Sequence, residues 1–210
     1  MRRSAVAVLL STLFAAHGAA LAAESVRQLP SFIAVNAKGA FTMTVEVGKA
    51  QSVTVSGDDK LVAAMRTEVI DNELQINLPD KTFKSSSESP RITITLPSLS
   101  RVKVEGAGET LINKVNTDRL DISYLGAGHL AANGKVKYLR LNAKGVGEVD
   151  TKGLVADRVD VNFEGVGNVS VHATELLNAV AKGIGGLTYY GRPKTVNKSV
   201  SGIGNVRAGD

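Results

Sequence analysis

The sequence predicts an all-β protein whose C-terminal half is a parallel β-helix, a solenoid of about six coils of roughly 19 residues. Three observations carry that expectation. First, the pairs Gly106/Gly108, Gly126/Gly128, Gly145/Gly147, Gly165/Gly167, Gly183/Gly185 and Gly202/Gly204 recur at intervals of 20, 19, 20, 18 and 19 residues. A fixed period of this length marks supersecondary units that bury their apolar faces only by stacking. Second, apolar residues alternate with polar ones before and after each pair, which is the period of a strand with one buried face. Third, the position five residues before each first glycine reads Arg101, Asp121, Arg140, Asp160, Asn178, Asn197. Stacked about 4.8 Å apart, such a column sets each Asp between two Arg and starts an amide ladder, while a slip by one residue would bury the charges.

Taken from the beginning, the chain opens as an export signal. Met1-Arg2-Arg3 is basic, Ala5 to Ala16 is apolar apart from Ser11 and Thr12, and small residues crowd Ala20-Leu21-Ala22-Ala23. That order is a secretory signal peptide over residues 1–22, with cleavage after Ala22 or Ala23. No Cys lies beside the cleavage site to accept a lipid, and the chain has no Cys at all, so neither disulfides nor thiolate metal sites enter the account. Without Arg2 and Arg3 the formal charge falls from +5 to +3, spread along the chain, which argues against a nucleic-acid partner. No later segment is apolar enough to span a membrane as a helix, so the expected location is the periplasm or the cell surface.

Residues 24–98 read as an irregular β-rich section. Phe41, Met43, Val45 and Val47 alternate, as do Val53 and Val55, then Leu74, Ile76 and Leu78, then Ile92, Ile94 and Leu96. Asp58 to Val69 is a candidate short helix with Leu61, Val62 and Met65 on its apolar face, and Lys81 to Pro90 is a polar, Ser-rich loop. This section is expected to cap one end of the repeat, and a separate small sandwich is the alternative. Nothing in the sequence caps the other end, since Asp210 follows the last repeat at once.

Residues 99–210 carry the repeat. Before the first glycine of successive copies stand Leu120, Ile122 and Tyr124, then Leu139, Leu141 and Ala143, then Val159, Val161 and Phe163, then Leu177, Ala179 and Ala181. In the last copy Lys198 interrupts the series between Val196 and Val200. After the glycines the alternation resumes, as at Val149 and Thr151 or Val169 and Val171. The residue between the glycines runs Ala107, Ala127, Val146, Val166, Ile184, Ile203 and is expected to point inward at each corner. All twelve glycines are assigned to tight bends between two strands, where φ is positive or a neighbouring coil lies too close for a Cβ. A phosphate-cradling loop would need a helix to follow, and here a strand follows.

The Gly-x-Gly-Asn-Val of residues 165–169 and 202–206 belongs to a wider pattern. With it go the Ile-Thr-Ile-Thr-Leu-Pro-Ser-Leu of 92–99, the Val-Glu-Gly-Ala-Gly of 104–108 and the Tyr-Tyr-Gly-Arg-Pro of 189–193. Together they resemble the family called putative auto-transporter adhesin, head GIN domain, from about Phe32 to Val206. The resemblance implies a secreted or envelope protein with a right-handed β-helical fold and no catalytic residues. The chain ends without room for a translocator barrel, so the sequence does not read as a self-sufficient auto-transporter.

A search for chemistry returns little. Glu105, Glu109, Lys144, Glu148, Glu164 and Lys182 flank the corners and are the candidates for an enzyme acting on polysaccharides, but they read as a mixed, solvated ladder. His129 and His172 fall in different columns and bring no metal or triad partners. Catalytic, metal and cofactor sites are therefore assigned as none. Tyr124, Phe163 and Tyr189 fall in buried columns, leaving Tyr138 and Tyr190 exposed. Tyr190 and Arg192 are the candidate surface contact. The expected function is a non-enzymatic binding or structural module of the envelope, adhesin-like. A glycan-binding or glycan-active protein is the alternative, and self-association through an uncapped end a third.

Overall fold

The computed structural model describes residues 23–79 and 89–210. The expected signal peptide lies outside the described residues, as does most of the expected Ser-rich loop. Among the described residues nine strands and one short helix follow in chain order: β1 (Ala23–Val26), β2 (Ala34–Ala40), β3 (Thr42–Val47), β4 (Ser52–Gly57), α1 (Asp59–Ala64), β5 (Arg66–Ile70), β6 (Glu73–Asn77), β7 (Arg91–Leu96), β8 (Arg101–Tyr190) and β9 (Thr195–Ala208).

The all-β expectation holds, but the right-handed parallel β-helix of about six coils is corrected. The strands form one mixed nine-stranded sheet in the order β1-β4-β7-β3-β8-β2-β6-β5, with β9 on β8. Antiparallel pairs β1/β4, β4/β7 and β5/β6 stand beside parallel pairs such as β2/β8, β3/β7 and β8/β9. All three antiparallel pairs lie in residues 23–96, and for β5/β6 the physical reason is a short connection. Asp71 and Asn72 both adopt positive φ, 50° and 60°, between β5 and β6. A two-residue turn of that hand returns the chain antiparallel, whereas a parallel return needs a long crossover.

The helix is also shorter than the sequence suggests. The periodicity from Asp58 to Val69 suggested one helix, yet α1 stops at Ala64 and β5 begins at Arg66. Asp58 caps α1 by accepting a hydrogen bond from the Lys60 amide at 2.9 Å, and Leu61 and Val62 are its buried residues. Met65 is also buried, but it is the C-cap of α1, and its extended backbone at φ −71° and ψ 114° leads into the strand that follows.

Ninety straight β residues would reach about 300 Å, but β8 returns on itself at every copy of the repeat. Asn133 donates to the Asn113 side chain, Asn178 to Asp160, and Asn197 on β9 to Asn178, at 2.6, 2.7 and 2.9 Å. The amide ladder is thus present, and it includes Asp160. The charged part of that column pairs differently from the expectation: Arg101 bonds Glu73 at 3.0 Å, and Asp121 takes Arg119 from its own strand at 3.1 Å.

Glycine sits on glycine through this stack. A Cβ built on Gly126 would fall far inside 3.0 Å of the Gly106 carbonyl oxygen, and one on Gly145 equally close to that of Gly126. The contacts run on through Gly165, Gly183 and Gly202. This column starts earlier than the six copies, because Gly39 on β2 lies opposite Gly106 in the β2/β8 register. One aliphatic core runs from Phe32 and Val35 through Met43, Ile94 and Leu139 to Val206, and includes residues of α1.

Gly108 and Gly128 begin the second glycine column, and they depart from the expected bend between two strands. Both lie inside β8, which passes through each of its Gly-x-Gly copies without a break, and both are exposed. Burial is therefore not what demands glycine at these two positions. Backbone contact is: a Cβ on Gly108 would run into the Phe41 carbonyl oxygen, and one on Gly128 into that of Gly108. The same contact repeats at Gly147, Gly167, Gly185 and Gly204.

Asp160 shows how the ladder responds to pH. Burial works to raise its pKa, but hydrogen bonds from the Tyr138 hydroxyl and the Asn178 amide, with Arg158 and Arg140 nearby, outweigh it and hold the carboxyl below its usual value. Glu46 is lowered as well, first through its bond from Asn113. A depressed folded pKa contributes stability that is present above the unfolded value, near about 4, and is lost as pH falls through the folded value. The melting temperature is therefore expected to drop below about pH 4, and Asp160→Asn to flatten that drop because the group no longer takes up a proton. Equal acid slopes for wild type and Asp160→Asn in a pH series of thermal melts would remove Asp160 from the account.

Candidate functional site

The corner residues point the other way from the sequence expectation. Ala107, Ala127, Val146, Val166, Ile184 and Ile203 are all exposed, Val146 at 57% and Ile203 at 75%. Alternation runs in step through each pair, so the glycines take the core-facing parity and the residue between them forms an outer crest, with buried side chains returning at Leu130, Val149, Val169 and Leu187. With the exposed Leu125 beside it, the crest forms an apolar ridge across the stack.

Charged residues flank that ridge in pairs. Lys38 bonds Glu105 at 3.1 Å, Lys144 bonds Glu164 at 3.0 Å, and His129 stands 3.7 Å from Glu148. The Lys144 ammonium, first by its hydrogen bond and then by its charge, holds the Glu164 carboxyl below its usual value. Among the described residues no three His, Asp or Glu side chains come together to hold a metal.

A cleft of about 630 Å³ lies at the junction of β8 and β9, lined by Asp150, Lys152, His172, Tyr190, Arg192 and Asp210 with three glycines. Tyr190 ends β8, and the turn into β9 runs through Gly191 and Arg192. Backbone contact shapes this turn. Gly191 has φ 92° and lies against the Ala173 carbonyl and the His172 ring, leaving no space for a Cβ. Arg192 is one of the few non-glycine residues with positive φ, at 52°. That conformation costs about 1 kcal/mol or more for an L-residue and is characteristic of sites where the surroundings dictate the backbone.

The floor of the cleft is built from two neighbouring copies of the repeat. The Lys152 ammonium stands 4.2 Å from the centre of the Tyr190 ring, and the His172 Nδ1 lies 3.2 Å from the Lys152 carbonyl oxygen. Asp150 accepts from the Lys152 amide at 2.9 Å. Gly209 packs against the Tyr190 ring closely enough to exclude a side chain. The cleft thus offers a phenol, an imidazole, two cationic donors and two carboxylate acceptors in one open depression.

Tyr190 and Arg192, singled out in the sequence, both line the cleft. Lys152, His172 and Asp150 were missed there, because they stand 40 to 18 residues before Tyr190 and only the stacking of copies brings them together. Tyr138, the other exposed aromatic candidate, is instead tied into the ladder. Its hydroxyl donates to Asp160 and its ring lies 5.0 Å from the Arg119 guanidinium. Of the aromatics expected in buried columns, Tyr124 and Phe163 are buried and Tyr189 is half-buried against the core.

Stacked glycine corners over one continuous aliphatic core define a repeat-built all-β protein with an open polar cleft beside its last strand. The chain belongs to the family described as putative auto-transporter adhesin, head GIN domain, whose family model matches residues 31–193. Among solved structures, a putative adhesin from Bacteroides fragilis is similar over 90% of this chain and 98% of its own, at 25% identity and a TM-score of 0.72. A putative adhesin from Parabacteroides distasonis shares 18% identity over 90% and 97% of the two chains with a TM-score of 0.48. A putative lipid binding protein from the same species shares 20% identity over 91% and 98% with a TM-score of 0.46. No curated protein matches the chain.

Proposed function

We propose that the protein is an exported, adhesin-like binding module that holds a carbohydrate in the Tyr190–Arg192 cleft and performs no reaction on it. Export rests on the basic, apolar and small-residue order of residues 1–22, removed after Ala22 or Ala23, which places the mature chain in the periplasm or at the cell surface. Residues 24–98 then close one end of the Gly-x-Gly section of residues 99–210, and the twelve glycines serve the path of the backbone through the stack rather than as ligand groups.

The observation that carries the ligand class is the mixture of groups in the cleft. A sugar offers vicinal hydroxyls that both donate and accept, with apolar C–H faces between them. Lys152 and Arg192 donate to such oxygens, Asp150 and Asp210 accept from the hydroxyls, and the Tyr190 ring supplies an apolar surface. A cleft of about 630 Å³ is within the ordinary range for a small-molecule site. The absence of reaction rests on the paired state of the corner carboxylates, with Glu105, Glu148 and Glu164 each facing a basic neighbour.

Binding of purified protein to a panel of bacterial and host glycans tests this reading. Retention of a carbohydrate is expected, with Tyr190→Ala and Arg192→Ala each weakening it by at least about tenfold, as for central contact residues. Undiminished binding by both variants removes the cleft from the function. Turnover of a glycan that disappears in Glu148→Gln or Glu164→Gln makes the protein an enzyme instead.

A further inference from the structure

Like β1 and β5, β9 lies at an edge of the sheet, but at 14 residues it is far longer than either. Among the described residues β9 pairs with β8 alone, so one edge of a 14-residue strand is left open. Of its residues only Val206 is buried, and Val200 and Ile203 are large apolar side chains left 45% and 75% exposed. An open edge of this length with apolar side chains is a template for a further strand.

The occupant that fits this edge is a second copy of the chain. The segment Gly202-Ile203-Gly204 is symmetric in sequence, so a two-fold axis through Ile203 lays glycine on glycine in an antiparallel pair. Val200 then falls opposite the partner's Val206, and the core-facing column of one copy continues into the other.

Lys198 interrupts that column. Four residues before the first glycine, the successive copies carry Val102, Ile122, Leu141, Val161 and Ala179, all buried, and then Lys198. Register places Lys198 directly on Ala179. Its side chain lies across the end of the stack, and the ammonium donates to the Val206 carbonyl oxygen at 3.4 Å. The stem thereby covers the last aliphatic layer while the charge stays in reach of water.

We propose that Lys198 is a gatekeeper, which closes the open end of the sheet and keeps a second copy of this chain from pairing along β9. Pairing would press one ammonium from each copy into the shared interior, opposite the partner's Ala208, where no carboxylate of the column meets it. An unpaired buried charge is far more costly than the gain from a row of strand hydrogen bonds. Inward-pointing charge on an edge strand is a recognised guard against edge-to-edge association.

Multi-angle light scattering across a concentration series tests the proposal. Wild-type protein and Lys198→Arg are expected to keep the mass of one chain throughout. Lys198→Val and Lys198→Ala, which restore the residue types of the column, are expected to double that mass as concentration rises. Adding Val200→Lys to Lys198→Val is expected to return the single-chain mass, which ties the dimer to β9. Alanine already occupies the stacked position at Ala179, so Lys198→Ala keeps the test open should the valine variant not fold. Monomeric Lys198→Ala with wild-type circular dichroism, or a wild-type protein that itself assembles, overturns the gatekeeper.

Discussion

Gly167→Ala is expected to destabilise the protein by about 4 kcal/mol or more, among the largest effects of any single methyl addition to the chain. The new Cβ would lie far inside 3.0 Å of the Gly147 carbonyl oxygen, with the Gly147 carbonyl carbon and nitrogen close behind. All three are backbone atoms, and Gly167 itself is held from the other side, where Gly185 lies equally close on it. No side-chain rotation relieves such a contact. The only escape is to separate two layers of the stack and lose their hydrogen bonds. The φ of +141° adds to the cost, but it is the smaller part. Gly48 separates the two contributions, for it also has positive φ, at +87°, with nothing within 4 Å of a built Cβ. Gly48→Ala therefore carries conformational strain alone, about 1 kcal/mol. Urea titrations of the two variants at unchanged m-value measure the difference, and equal midpoints would mean that layer contact is not what demands glycine.

Leu139→Ala is expected to cost about 3 kcal/mol, the usual loss when a fully buried leucine leaves a cavity in a close-packed core. Leu139 is 0% exposed, and its column is continuous with Leu120 and Val159 in the neighbouring copies. Val146→Ser, seven residues later on the ridge, is expected to change stability by no more than about 0.5 kcal/mol, since Val146 is 57% exposed. Period-two alternation puts Leu139 and Val146 on opposite faces, whereas an inward-pointing corner would put both in the interior, so the pair decides which way the corner faces. A costly Val146→Ser beside a tolerated Leu139→Ala would reverse the assignment of the ridge.

Strand content, the buried columns and the register of the repeat were all legible in the residues. Leu120, Ile122 and Tyr124 are buried where period-two alternation puts them, and Asn178 and Asn197 form the amide ladder that their column suggested. The limit of such reasoning shows at the corner. Alternation runs in step from Leu141 and Ala143 through Gly145 and Gly147 to Val149, which leaves Val146 on the outer parity; an inward corner would need a bend that breaks the step, and β8 makes none there. Gly108 and Gly128 mark the same limit, since a glycine inside a continuous, exposed stretch of strand reads in one dimension as a turn. The antiparallel β5/β6 pair was hidden because its turn is short. Asp71-Asn72 is a short turn signal of two residues, easily overlooked beside six copies of a regular repeat.

The candidate cleft divides in the same way. Tyr190 and Arg192 stand out locally, as an aromatic and a cation around a glycine in the turn from β8 to β9. Lys152 and His172 carry no local signal at all. Their place in the cleft depends on two earlier copies of the repeat arriving beside that turn, and no pattern within either copy announces it.

From the order of residues alone came the all-β class, the period and the glycine columns, because alternation and a strict repeat are one-dimensional consequences of strands that must bury one face and approach closely. Tertiary structure decided the mixed pairing, the composition of the cleft and the reach of Lys198 across the end of the stack. Each of those depends on which backbone lies beside which. That depends in turn on a few turn dihedrals, whose small local energies are outweighed by the packing of the whole sheet.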